Sequence, residues 1–104
     1  MIKSNLGILL RGILKGHDYE KIILFGSRAR GDSSKNSDYD FMIIMKNNLI
    51  PRKKIKLSSL LRKKLAKKGI DADLVIKSKD EIHDYKTKIG SVVREALKEG
   101  IALW

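Results

Sequence analysis

Two short apolar runs, Lys21 to Phe25 (KIILF) and Asp38 to Met45 (DYDFMIIM), are separated by only twelve residues, GSRARGDSSKNS, most of them turn formers. Both runs are rich in strand-favouring residues and bounded by turn signals, so both read as strands. A parallel pairing needs a crossover of about a dozen residues or more, usually a helix. This linker, punctuated by Gly26 and Gly31, leaves little room for a full helix. The two strands are therefore expected to pair antiparallel, or in a locally mixed sheet.

The rest of the chain supplies layers for that sheet. Leu6, Leu9, Leu10, Ile13 and Leu14 fall on one face of an N-terminal helix, with Ser4 or Asn5 as cap and Gly16 as stop. A second helix is expected from Pro51 to Lys68, with Pro51 in the first turn, where a missing N–H costs little. Leu57, Leu60, Leu61 and Leu65 form its apolar stripe, and Gly69 follows it. Ile70 to Ile76 (IDADLVI) reads as a third strand, joined to the second by that helix and so parallel to it through a right-handed crossover. Ser78-Lys79-Asp80-Glu81 has the form of a capping box. Ile82, Tyr85, Ile89, Val92, Val93 and Ala96 then keep helical spacing, with Thr87 and Gly90 as points of division. Gly100 ends this helix, and Ile101 to Trp104 could add a short edge strand. The expected class is α+β with α/β-type layering: a small mixed sheet of three to four strands flanked by helices.

At 104 residues this is expected to be one domain, residues 1–104, since domains typically run to about 100–150 residues. An apolar share of 42% suffices for one core. Without cysteine there is no disulfide framework, zinc-thiolate site or thiol nucleophile. Apolar runs of four or five residues fall far short of the roughly 20 that span a bilayer. No cleavage-site pattern follows Lys3, so a cytoplasmic protein without a membrane partner is expected.

Side chains two apart on a strand point the same way, which puts Asp38 and Asp40 on one face with Met42 and Ile44. Tyr39, Phe41, Ile43 and Met45 line the other face. Aspartate is a poor strand former, and two carboxylates about 7 Å apart repel one another. A divalent cation resolves the conflict, because Mg²⁺ is held by oxygen donors, often one or two carboxylates plus substrate phosphates. Asp73 repeats the oddity in the third strand, with Asp71 two residues before it. Adjacent strands lie roughly 4.8 Å apart, so Asp73 can join the pair. Three convergent carboxylates suit a two-metal site for phosphoryl or nucleotidyl transfer. The plain alternative is that each aspartate is a solvated strand end or turn residue.

Gly26-Ser27 follows the first strand directly, and glycine lets backbone N–H groups approach phosphate closely. Ser27 adds a hydroxyl, and Arg28 and Arg30 add positive charge. Gly26 and Gly31 have the spacing of a P-loop, but such a loop continues with Lys-Ser/Thr. Asp32 stands there instead, a negative charge where phosphates would lie, and the P-loop reading fails.

Phe25-Gly26-Ser27, then Asp38-Tyr39-Asp40-Phe41, with Asp73 in Asp-Leu-Val, resembles the signature of the DNA polymerase β-like nucleotidyltransferases. Within that superfamily the likeness is nearest to the minimal nucleotidyltransferases, the MNT proteins that accompany HEPN-domain toxins in prokaryotic toxin–antitoxin pairs. The closing Arg94-Glu95-Ala96-Leu97-Lys98-Glu99-Gly100-Ile101 is similar to the end of such chains, so the resemblance spans nearly the whole sequence. Tyr39 departs from the aliphatic residue usual between the two aspartates.

The resemblance implies a polymerase β-like nucleotidyltransferase core. It implies that Asp38 and Asp40 ligate two Mg²⁺ ions, and that Asp73 ligates one and helps deprotonate an acceptor hydroxyl. Gly26 and Ser27 would hold the β- and γ-phosphates of ATP, and Arg30 would support the loop or the phosphates. The acceptor would attack the α-phosphorus and release pyrophosphate. By the same resemblance the acceptor is a tyrosine of a HEPN toxin, which receives AMP in a type VII-like antitoxin mechanism. The expected core uses nearly every residue of this sequence, so the acceptor is expected to meet an exposed face or to be presented by a partner.

From Lys46 to Lys68 there are ten basic residues and no acidic ones. Like charges crowded on a helix cost a few tenths of a kcal/mol per pair, so folding alone does not favour this run. It reads as an RNA- or phosphate-binding surface, as a dock for an acidic partner, or as a solvated lysine face. No aromatic residue interleaves it, so base stacking is unsupported. A second functional reading follows: a non-catalytic basic antitoxin or RNA-associated module on the same fold. His17 and His83 lack partners at metal-ligand spacing, and Tyr85 and Trp104 read as packing. The apolar end from Ile101 to Trp104 is a candidate interface for a homodimer or partner.

Overall fold

The computed structural model describes residues 2–34, 36–86, 88 and 90–103, with side chains from residue 5 onward. The chain runs α1 (Ile2–Ile13), β1 (Tyr19–Phe25), α2 (Ser27–Arg30), β2 (Tyr39–Met45), α3 (Pro51–Ala66), β3 (Ala72–Ser78), α4 (Lys79–Tyr85), α5 (Val92–Glu99) and β4 (Ile101–Ala102). The sheet order is β3-β2-β1-β4. β1 pairs antiparallel with β2 and β4, and β2 pairs parallel with β3 across α3. The α+β class and the mixed sheet are as expected. No helix among the described residues is long and apolar enough to cross a membrane.

Alternation along the strands divides the core in two. Ile22, Leu24, Phe41, Ile43 and Ile76 pack with Leu6, Leu10 and Leu14 at one end of the chain and with Leu57, Leu61 and Leu65 of α3. Ile23, Phe25, Met42 and Ile44 pack on the opposite face against Val93 and Ala96 of α5. At about 25 cal/mol per Å² of apolar surface, these buried side chains are the main stabilising term. Leu60 does not join the α3 stripe. It sits 100° from Leu61 on the helix and is 36% exposed.

Several boundaries differ from the sequence reading for identifiable reasons. α1 begins at Ile2, before the expected caps, so Ser4 and Asn5 lie inside the helix. β3 starts two residues later than expected. The Ile70 N–H is taken by the Leu65 carbonyl at the end of α3, and the strand begins only after Asp71 accepts from the Tyr39 N–H. The capping box holds: Ser78 accepts from the Glu81 N–H, and Glu81 accepts from the Ser78 N–H. The long last helix is two helices. Gly90 takes a left-handed φ of 80° in the break, and the Ser91 side chain caps α5 by accepting from the Arg94 N–H. Thr87, Ile89 and Trp104, which the sequence reading used, lie outside the described residues. Ile101 and Ala102 pair with β1, and the Leu103 N–H donates to the Ile22 carbonyl, so the expected edge strand forms.

Candidate functional site

The register of the sheet decides where the aspartates point. Asp40 is the direct neighbour of Asp73 across the parallel β2–β3 pair. On the other side Asp40 faces Phe25, the last residue of β1. Met42 and Ile44 face α5, and Asp40 shares their parity; Asp73 shares the parity of Val75, which packs against the same cluster. The two carboxylates thus lie on one face, at the end of the sheet where the Gly26 turn emerges. Asp38 stands just before β2 and lines a cleft of about 250 Å³ together with Arg62, Ala66, Ile70, Asp71, Ala72 and Asp73.

The charges at this place are in conflict. Asp40 is half-buried, and its burial, reinforced by the charges of Asp73 and Asp38, raises its pKa, with Arg30 offsetting part of the effect. Among the described residues its carboxylate has no hydrogen-bond or ion-pair partner. Asp73 is more exposed, at 63%, and meets Arg62 at 3.8 Å, too long for a strong ion pair. These hard oxygen donors on adjacent segments fit Mg²⁺ in kind. As the side chains stand, no three acidic or histidine groups among the described residues are close enough to hold one ion.

The turn after β1 is built against Asp40. Gly26 has a left-handed φ of 73°, and a β-carbon there would overlap the Asp40 carboxylate. Ser27 to Arg30 form one helical turn, closed by Gly31, whose N–H donates to the Ser27 carbonyl. Arg28 straps the rest of the loop. It donates twice to the Ser37 carbonyl, at 2.9 and 3.2 Å, and lies 4.4 Å over the Tyr39 ring. Tyr39 in turn stacks on Phe41, with ring centroids 6.0 Å apart. An aliphatic residue at position 39 would not offer this cation–π platform, which gives the departure at Tyr39 a local reason.

Arg30 does not reach for open space. It pairs with Asp32 at 3.0 Å and with Glu99 at 3.0 and 3.2 Å, and hydrogen bonding to these two partners, Asp32 first, raises its pKa further. Glu99 also accepts from the Gly26 N–H at 3.2 Å. The sequence reading missed Glu99, which is 73 residues from Gly26; its one signal is an acidic residue directly before Gly100 and the closing strand. A cavity of about 540 Å³ opens at the far end of the sheet between Gly16–Asp18 and the first turns of α3, and none of these site residues lines it.

The family described as Polymerase beta, Nucleotidyltransferase matches residues 10–104. Among solved structures, a toxin–antitoxin with AMP-PNP superposes with a TM-score of 0.65 at 22% identity, covering 94% of this chain and 72% of that one. A Sulfolobus solfataricus protein assigned to the nucleotidyltransferases superposes at 0.65 and 20% identity, covering 98% and 78%. A chain from the complex of a tri-AMPylated Shewanella oneidensis HEPN toxin with an MNT antitoxin gives 0.55 and 23%, covering 99% and 70%. At these identities the likeness to the solved structures is one of fold. No curated protein matches the sequence significantly.

Proposed function

The chain belongs to the polymerase β nucleotidyltransferase family, and on that premise we propose that it transfers AMP from ATP to a hydroxyl, with a tyrosine of a HEPN toxin partner as acceptor. The observation that carries this reading is the register match of Asp40 with Asp73, one strand from the Gly26 turn. Asp38, Asp40 and Asp73 are the residues that would hold Mg²⁺. Bound there, the metal would neutralise the triphosphate and favour ionisation of the acceptor hydroxyl. Gly26, its N–H held by Glu99, shapes the turn, and Ser27 carries the β- and γ-phosphates through a hydroxyl that has no partner among the described residues. Asp73, the more exposed carboxylate, accepts the proton of the incoming hydroxyl. The acceptor oxygen bonds the α-phosphorus as the bond to the bridging oxygen breaks, and pyrophosphate leaves.

The form of the site favours a protein acceptor. Small-molecule sites usually enclose roughly 300–1,000 Å³, whereas the cleft beside Asp38 and Asp73 holds about 250 Å³. An acceptor mounted on a partner needs only access. Toxin–antitoxin complexes among the fold neighbours support the same class of partner.

The second reading, binding without catalysis, draws on α3. Arg52, Lys56, Lys63 and Lys67 share its outer side or lie just past it, and none has a carboxylate partner among the described residues. One experiment separates the two readings. The protein is mixed with Mg²⁺, ATP labelled at the α-phosphate and a HEPN protein encoded beside it. The first reading expects label on a toxin tyrosine, lost in Asp73→Asn while the complex still forms. Unlabelled toxin despite intact ATP binding would remove this acceptor. Full neutralisation of the toxin by Asp73→Asn would favour binding alone, and RNA affinity that drops steeply with salt would assign that binding to α3.

A further inference from the structure

Two of the groups expected to face a triphosphate, the Gly26 N–H and the Arg30 guanidinium, are both taken by one carboxylate from the far end of the chain. That carboxylate is fixed in place. Glu99 is the last residue of α5, and its side chain is only 22% exposed. The next residue, Gly100, passes so close to Ile23 and the Ala96 carbonyl that a β-carbon would overlap both. Ile101 and Ala102 then pair with Leu24 and Ile23 of β1, the strand that ends in the Gly26 turn. Glu99 and the loop it holds are thus mounted on the same strand.

We propose that Glu99 is a positioning residue of the nucleotide loop. By holding the Gly26 N–H and Arg30, it fixes the turn in the left-handed conformation that clears Asp40 and leaves the Ser27 hydroxyl free for phosphate. This assigns Arg30 to the loop rather than to the phosphates, with Asp32 as its second anchor. The same clamp keeps the Arg30 charge within electrostatic reach of Asp40. The role rests on the nucleotide-transfer reading, but the clamp can be measured without nucleotide.

The test compares Glu99→Ala, Glu99→Gln and wild type in the full chain. Hydrogen exchange of the Gly26 amide is read first, in the absence of nucleotide. Affinity for a fluorescent ATP analogue with Mg²⁺, the KM for ATP, kcat and the melting temperature follow. The expected result is faster Gly26 exchange and at least about tenfold weaker nucleotide binding in Glu99→Ala. KM should rise by a similar factor, with kcat within about threefold and the protein still folded. Glu99→Gln keeps an acceptor for the Gly26 N–H and should recover most of the affinity. Unchanged Gly26 exchange would overturn the clamp. Tighter nucleotide binding in Glu99→Ala would overturn it differently, by showing that the carboxylate competes with phosphate. A wild type that binds no Mg²⁺–ATP would instead overturn the transfer reading, and this role with it, even where the exchange result stands.

Discussion

Gly26 is constrained twice, by a φ of 73° and by the carboxylate that a β-carbon would overlap. Gly26→Ala should therefore lower the melting temperature by about 4–8 °C, on the scale of 1 kcal/mol for a domain of this size, and weaken nucleotide binding more than tenfold. Calorimetry and a nucleotide titration check both. Asp40 gives a prediction of opposite sign. Its folded pKa is raised above 3.8 by burial and then by Asp73 and Asp38. The stability it contributes is fully present below pH 3.8 and is lost as pH rises through the folded value. Asp40→Asn should accordingly match the metal-free wild type near pH 3.5 and exceed it in stability at pH 7, while transfer falls at least about a hundredfold. Urea unfolding in EDTA across that range measures the difference; a variant less stable at pH 7 would contradict the charge conflict.

Among the polar contacts that join elements, the clearest ties α3 to α4. Lys54 donates to both oxygens of Glu81, at 2.6 and 2.7 Å, in a partly buried pair. Burial alone would raise the Glu81 pKa, but hydrogen bonds from Lys54 and the Ser78 N–H and the charges of Lys54 and Lys77 outweigh it, and the pKa is lowered from 4.5. This contribution is present above pH 4.5 and is lost as pH falls through the folded value. Lys54→Met should cost about 1–3 kcal/mol at pH 7 and far less near pH 2, as denaturation curves at the two pH values would report. The capping box beneath this pair was legible in the sequence because Ser-x-x-Glu is a local code. The Lys54 contact was not, since it spans 27 residues. The same division runs through the site. Asp40 and Asp73 stood out because carboxylates interrupt apolar strands, and Gly26 because glycine ends one. The Glu99–Gly26 contact and the Arg28–Tyr39 stack were not legible, because only tertiary structure brings these partners together.

In the molecule as a whole, the central position of β2 between β1 and β3 brings the Gly26 turn, Asp40 and Asp73 to one end of the sheet. The closing strand carries Glu99 back to that end, and α3 brings Arg62 next to it. The central claim is that these aspartates hold metal together with nucleotide. Titrating Mn²⁺, a paramagnetic stand-in for Mg²⁺, in the presence of ATP and following the free-ion EPR signal tests it without reference to any acceptor. The predicted result is up to about two ions held per chain beyond those bound by ATP alone, lost in both Asp40→Asn and Asp73→Asn. Equal Mn²⁺ uptake by wild type and both variants would contradict it.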